Sequence, residues 1–241
     1  MLVFLPGLIC DARTFAAQSD AFPDSLTIDS YGLADSLSGM ARVALEQADA
    51  RGADRVDLFG HSMGGRVALE IFRMAPERVR RLALVSTGIH PLGQNEPQKR
   101  AALQKVGHDS GFAALVDQWL PPMVAEANRH RAEMYDPMRA MCLSAGQERF
   151  DAHIAALVGR PEVDELLARI ACPTLVMTGA LDQWAPPQQH EEIAARLADS
   201  TLVIVPGAGH MLPLEAPAEV NDAIANWLAR PAGDQNQSQT L

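Results

Sequence analysis

Short apolar runs alternate with stretches of helical spacing through the first third of the chain and again towards its end. Leu2-Val3-Phe4-Leu5 reads as a strand stopped by Pro6-Gly7, and Leu26-Thr27-Ile28-Asp29-Ser30-Tyr31 as a second. Met40, Val43, Ala44 and Ala48 share one face of a helix expected over about 36–50. Val56-Asp57-Leu58-Phe59 (strand), Met63 to Met74 (helix) and Arg81-Leu82-Ala83-Leu84-Val85-Ser86 (strand) follow. Such alternation leaves few folds open, because parallel strands need helical crossovers and the crossovers cover both faces of the sheet.

After Gly88 the strands stop. From about His90 to Arg169 only helix-like segments appear: Gln98 to Val106, Phe112 to Leu120, Ala125 to Leu143 and Phe150 to Val158. Alternation resumes with a strand at Thr174 to Gly179, a helix at Gln188 to Leu197, a strand at Thr201 to Val205 and a helix at Ala218 to Ala229. The predicted organisation is an α/β core built from 1–88 and 170–230, interrupted by a helical insertion over 89–169. Residues 231–241 form a polar tail with too little apolar surface to order itself.

Between a predicted strand and the helix after it stands Gly60-His61-Ser62-Met63-Gly64. G-x-S-x-G is the pattern of a nucleophile elbow. A serine on so sharp a turn lifts its hydroxyl clear of the sheet, in a backbone conformation strained for any residue but glycine. Glycines two before and two after lack Cβ atoms, which lets strand and helix approach each other. The helix beyond carries Val67, Ala68, Ile71, Phe72 and Ala75 on one stripe, and its free N–H groups favour an anion beside the serine. Without partners, the same residues describe a glycine-rich turn with a solvated hydroxyl.

A serine attacks well only when a base removes its proton, and the base needs an acid to orient it. At an elbow the chain order is serine, carboxylate, histidine, each at a strand's C-terminal end. Seven histidines compete. His61 adjoins the serine, where neighbouring side chains point apart. His90, His108, His130 and His153 fall in the insertion or its entrance, and His190 sits in a helix behind an exposed-looking Gln188-Gln189. His210 alone follows a predicted buried strand directly, in Val205-Pro206-Gly207-Ala208-Gly209-His210. By the same logic the acid is Asp182, in Gly179-Ala180-Leu181-Asp182, because the preceding strand-end loop, Ser86-Thr87-Gly88-Ile89-His90, holds no carboxylate. Asp182 also fits a helix N-cap ahead of Pro186-Pro187, and Glu215 reads as helix-start charge.

These loops resemble those of the α/β-hydrolases, in particular small bacterial esterase-like members with a helical cap, similar to carrier-protein methyl ester esterases. Gly60–Gly64, Gly179–Asp182 and Gly207–His210 match the family's triad loops in order, and the likeness runs from Leu2 to about Leu228. Leu5-Pro6-Gly7-Leu8-Ile9-Cys10-Asp11 resembles its oxyanion loop, with Pro6 where many members carry histidine. The resemblance implies an α/β-hydrolase fold with a mostly parallel sheet of about six strands, short of the family's usual first two. It implies Ser62, Asp182 and His210 as catalytic residues, with Gly60 and Gly64 shaping the elbow. The backbone N–H groups of Leu8 and Met63 would form the oxyanion hole.

The implied activity is hydrolysis of a small apolar carboxylic ester (or thioester or lactone), with no cofactor and no metal. C–C bond hydrolysis, cofactor-free perhydrolysis and a slow-turnover ligand receptor use the same triad and remain rival readings. An acidic carrier protein is a further candidate partner through Arg129, Arg131, Arg139 and Arg149. Glu126, Glu133, Asp136, Glu148 and Asp151 are interspersed among them, as on a solvated mixed face.

A formal charge of −10 without a basic stripe argues against a nucleic-acid or anionic membrane surface as partner. No run approaches the ~18 consecutive apolar residues of a membrane span. Cys10, Cys142 and Cys172 are odd in number and lack C-x-x-C spacing, so they build neither a disulfide framework nor a zinc site. Free thiols fit a cytoplasmic location. Met123, Met134, Met138, Met141, Phe112, Trp119 and Phe150 in the insertion fit core packing, with a few of them lining an apolar pocket over Ser62. Trp184 fits either place.

Overall fold

The computed structural model describes residues 1–232, and the expected tail from residue 233 onwards lies outside them. Six strands form one sheet: β1 (Leu2–Leu5), β2 (Leu26–Thr27), β3 (Val56–His61), β4 (Val79–Val85), β5 (Thr174–Gly179) and β6 (Ser200–Val205). Their order is β2-β1-β3-β4-β5-β6 and every pairing is parallel. Helices α1 (Ala16–Ala21), α2 (Leu37–Ala50) and α3 (Met63–Met74) make the first three crossovers. Between β4 and β5 come α4 (Glu96–Ser110), α5 (Phe112–Trp119), α6 (Ala132–Val158) and α7 (Asp164–Leu167). Helix α8 (Pro187–Ala195) returns the chain to β6, and α9 (Leu212–Glu215) and α10 (Pro217–Leu228) close it.

The strands are apolar on both sides because both faces are covered. Val3, Leu5, Leu58, Leu82, Leu84 and Val176 pack towards α2, α3 and the insertion. Their neighbours Leu2, Phe4, Phe59, Ala83, Leu175 and Met177 pack on the opposite face against Val220, Ile224 and Trp227 of α10. Successive residues thus alternate between the two cores, as a pleated strand requires. Phe4, Phe15 and Phe59 form a ring cluster in the second core, with centroids 5.0 to 6.0 Å apart. The indole N–H of Trp227 donates to the Pro173 carbonyl at 3.0 Å, which satisfies its one polar group.

Two local expectations needed correction. The strand expected over Leu26 to Tyr31 ends at Thr27. Its partner β1 is only four residues long, so the Ile28 N–H makes one last bond to the Phe4 carbonyl at 3.0 Å and the chain then turns away. In the insertion, α6 starts at Ala132 and not at the expected Ala125, and its break at Gly146, where φ is 77°, separates the two expected helical runs. Among the described residues no helix is long and apolar enough to cross a membrane. All three cysteines are free and buried.

Candidate active site

The site begins where β3 turns into α3. Ser62 takes φ 55° and ψ −119°, a strained conformation for a residue with a Cβ. Its backbone is tied down on every side. Its N–H donates to the Val85 carbonyl at 2.8 Å, and its carbonyl accepts from the Gly65 N–H (3.0 Å) and the Thr87 hydroxyl (2.8 Å). The flanking glycines are required by close approach. A Cβ on Gly60 would lie 2.4 Å from the Gly64 carbonyl oxygen, and one on Gly64 2.0 Å from that of Leu5. Both obstacles are backbone and cannot swing aside.

Ser62, His210 and Asp182, distant in sequence, come together at the C-terminal ends of β3, β6 and β5. The Ser62 hydroxyl donates to His210 Nε2 at 2.8 Å. On the other side of the ring, Nδ1 lies 2.9 Å from Asp182 Oδ2 and 3.1 Å from Oδ1. Asp182 Oδ1 also accepts the N–H groups of Trp184 and Ala185, both at 2.9 Å, which fixes the carboxylate plane. Burial acts to raise the Asp182 pKa, but the His210 imidazole and these hydrogen bonds outweigh it and hold the group at about 2. Asp182 is not the helix N-cap weighed as its alternative role, since Pro186 stands at the N-cap position of α8.

His61 and Glu215 matter more than their sequence context indicates. His61 does not simply point away. Its Nε2–H donates to the backbone carbonyl of His210 at 2.7 Å and so braces the loop that carries the imidazole. Burial, reinforced by the neighbouring His210, pushes its pKa down to about 3, so it acts as a neutral brace and not as a base. Glu215 is buried. Its Oε2 accepts the Ala125 N–H and the Asn128 side-chain amide, both at 2.9 Å. The Met123 carbonyl completes the join by accepting the N–H groups of His210 (2.9 Å) and Met211 (3.2 Å). Long-range contacts of this kind leave no local pattern in a sequence. Glu215→Leu would orphan the buried Ala125 N–H and is expected to cost about 2–3 kcal/mol. Urea unfolding that matches the parent would contradict this anchoring role.

A cavity of about 430 Å³ opens over the serine, lined by Leu8, Met63, Trp119, Met123, Trp184 and His210 among others. Trp184, about half exposed, is thus a wall and not core, whereas Met138, Met141 and Phe150 are buried in the core. Neither the Leu8 nor the Met63 N–H is given to an acceptor among the described residues. The only non-glycine residues with positive φ among the described residues are Ile9, Ser62 and Ser86, so backbone strain gathers around this cavity. His190, behind Gln188-Gln189, is buried and accepts the Thr87 N–H at 3.2 Å, supporting the elbow from behind. Arg129 is tied to the Val124 carbonyl, Arg131 to Glu133 and Arg139 to Asp117. No group of metal-binding geometry occurs among the described residues.

The fold and this constellation define a class. The Alpha/beta hydrolase family matches residues 2–223, and the chain belongs to it. It is 30% identical over 191 residues to the protein of Caulobacter sp. (strain K31) named "Putative carbamate hydrolase RutD", covering 76% of this chain and 69% of that one. Among solved structures, a thermophilic esterase from Thermogutta terrifontis, determined with malate bound, superposes with a TM-score of 0.88 at 28% identity, covering 94% of this chain and 88% of the other. The enol-lactonase from Burkholderia xenovorans LB400 superposes with a TM-score of 0.85 at 21% identity, covering 95% and 91%. That last likeness is one of fold.

Proposed function

We propose that the protein is a serine hydrolase that cleaves a carboxylic ester through an acyl-enzyme. The observation that carries this is the unbroken chain of contacts from Ser62 Oγ through the His210 ring to Asp182, at 2.8 and 2.9 Å. His210 removes the serine proton as Oγ attacks the ester carbonyl, then hands it to the departing alcohol. Asp182 holds Nδ1–H and stabilises the imidazolium between those steps. The unengaged Leu8 and Met63 N–H groups receive the negative oxygen of the tetrahedral intermediate, aided by the positive end of α3. Water, deprotonated by His210, then attacks the acyl carbon and releases Ser62. No step calls for a cofactor.

A carbamate differs from an ester only in the nitrogen on its carbonyl carbon, and the 30% identity to the Caulobacter protein favours it as a second reading. p-Nitrophenyl esters of increasing acyl length, run beside p-nitrophenyl carbamates, test both. Multiple turnover of esters is expected, with the optimum chain length set by the 430 Å³ cavity. A single stoichiometric burst without further release would overturn the enzymatic reading in favour of a receptor.

A further inference from the structure

The charge lining the cavity does not fit a purely apolar ester. Four cationic side chains, Arg66, Lys99, Arg100 and Arg160, face it with one carboxylate, Glu96. The chain as a whole carries −10, so the local excess is not a reflection of composition. Glu96 is already taken. Its Oε1 accepts from Arg100 Nε and Arg160 Nη1, both at 2.8 Å, and its Oε2 from Arg160 Nη2 at 2.7 Å. Arg66, one turn into the helix that Ser62 begins, has no carboxylate partner among the described residues. Its Nη2 donates to the His90 carbonyl at 2.7 Å, while its Nη1 is shut from solvent without any hydrogen bond. The residue is only 6% exposed.

A buried cation with no carboxylate in hydrogen-bonding contact is costly, and Arg66 Nη1 still has donors that a carboxylate can accept. Burial, together with the cation of Arg160, pushes Arg66 down to about 9, which leaves it charged at neutral pH and open to stabilisation by an anion. Leu8, Leu103, Trp119, Ile154 and Leu157 give the wall an apolar stretch beside these charges.

We infer that the substrate is an ester bearing a free carboxylate, which pairs with the unsatisfied guanidinium of Arg66 while its apolar spacer lies along the cavity wall. This rests on the ester-hydrolase reading and specifies its substrate. Lys99 lines the same cavity and adds to its attraction for an anion. The anion would stand on either the acyl or the alcohol side of the scissile bond, and the test distinguishes them.

Two substrate pairs each compare a free acid with the methyl ester that removes its charge. Mono-4-nitrophenyl adipate and its methyl ester place it on the acyl side; 4-acetoxybenzoate and methyl 4-acetoxybenzoate place it on the leaving group. In one pair the free acid is expected to exceed its methylated partner in kcat/KM by about tenfold or more, the worth of a charge-assisted bond to a buried group. Arg66→Met is expected to bring that ratio close to one. Wild-type enzyme that shows no preference for the free acid in either pair overturns the inference, as does a ratio that survives in Arg66→Met. Should that variant fail to fold, the wild-type ratios decide alone. If no ester is turned over and Ser62 resists labelling, the hydrolase reading fails by itself. Calorimetric titration of adipate then reads the anion site directly, with measurable heat supporting it and no heat sinking it.

Discussion

Ser62→Ala is expected to reduce ester turnover by about 10⁴–10⁶-fold and to abolish covalent labelling by a fluorophosphonate. The size of the effect follows from the geometry. The serine oxygen is the only hydroxyl within hydrogen-bonding reach of His210 among the described residues, at 2.8 Å, so no neighbour can take its place. Its removal leaves the elbow intact, because the backbone bonds to Val85, Gly65 and Thr87 do not involve the side-chain oxygen. Thermal stability should therefore stay close to that of the parent, and the loss should appear in kcat. Residual activity would come from the cavity and the two free amides. Labelling that persists in the variant, at any other residue, would refute the assignment.

Asp182→Asn is expected to lower kcat by about 10⁴-fold with little change in KM. Oδ1 accepts two backbone N–H groups, from Trp184 and Ala185, so the asparagine oxygen is forced into that position. Its NH₂ then occupies the place of Oδ2, 2.9 Å from His210 Nδ1. Nδ1 must become the acceptor, the ring proton moves to Nε2, and the nitrogen facing Ser62 can no longer take its proton. The variant should fold. It should also alter the acid limb of stability. With its pKa depressed from 3.8 to about 2, the native carboxylate contributes stability that is complete above the ordinary value and lost as pH falls between the two. The stability difference between parent and variant should shrink over that window. A variant with near-parental kcat, or a difference that grows as acid is added, would contradict the role given to Asp182.

Much of this was legible in the sequence, for physical reasons that particular elements make plain. Helix α3 and strand β5 were readable to the residue, because a fully buried strand and a strongly one-sided helix each carry a local pattern. Ser62, Asp182 and His210 could be picked out because each follows a strand directly, and a parallel sheet places all such loops along one edge. The shortness of β2 was not readable, since it depends on where its partner ends. Over Ala12 to Ala21 a 3₁₀ turn and a short helix form around the buried Phe15, a placement set by tertiary packing and not by local pattern. Glu215 looked like ordinary charge at the start of a helix, and its true partners lie 87 and 90 residues away. Arg66 sits within an apolar stripe and gave no warning that its guanidinium would be enclosed without a mate.

The bonds from Met123 and Ala125 to His210, Met211 and Glu215 have a practical consequence. They rivet the covering helices to the segment that carries the His210 imidazole, so the roof and the loop beneath cannot be exchanged independently. A chimaera that borrows residues 89–169 from a relative must bring a matching 207–215 with it. Otherwise a new specificity would arrive with its imidazole out of alignment.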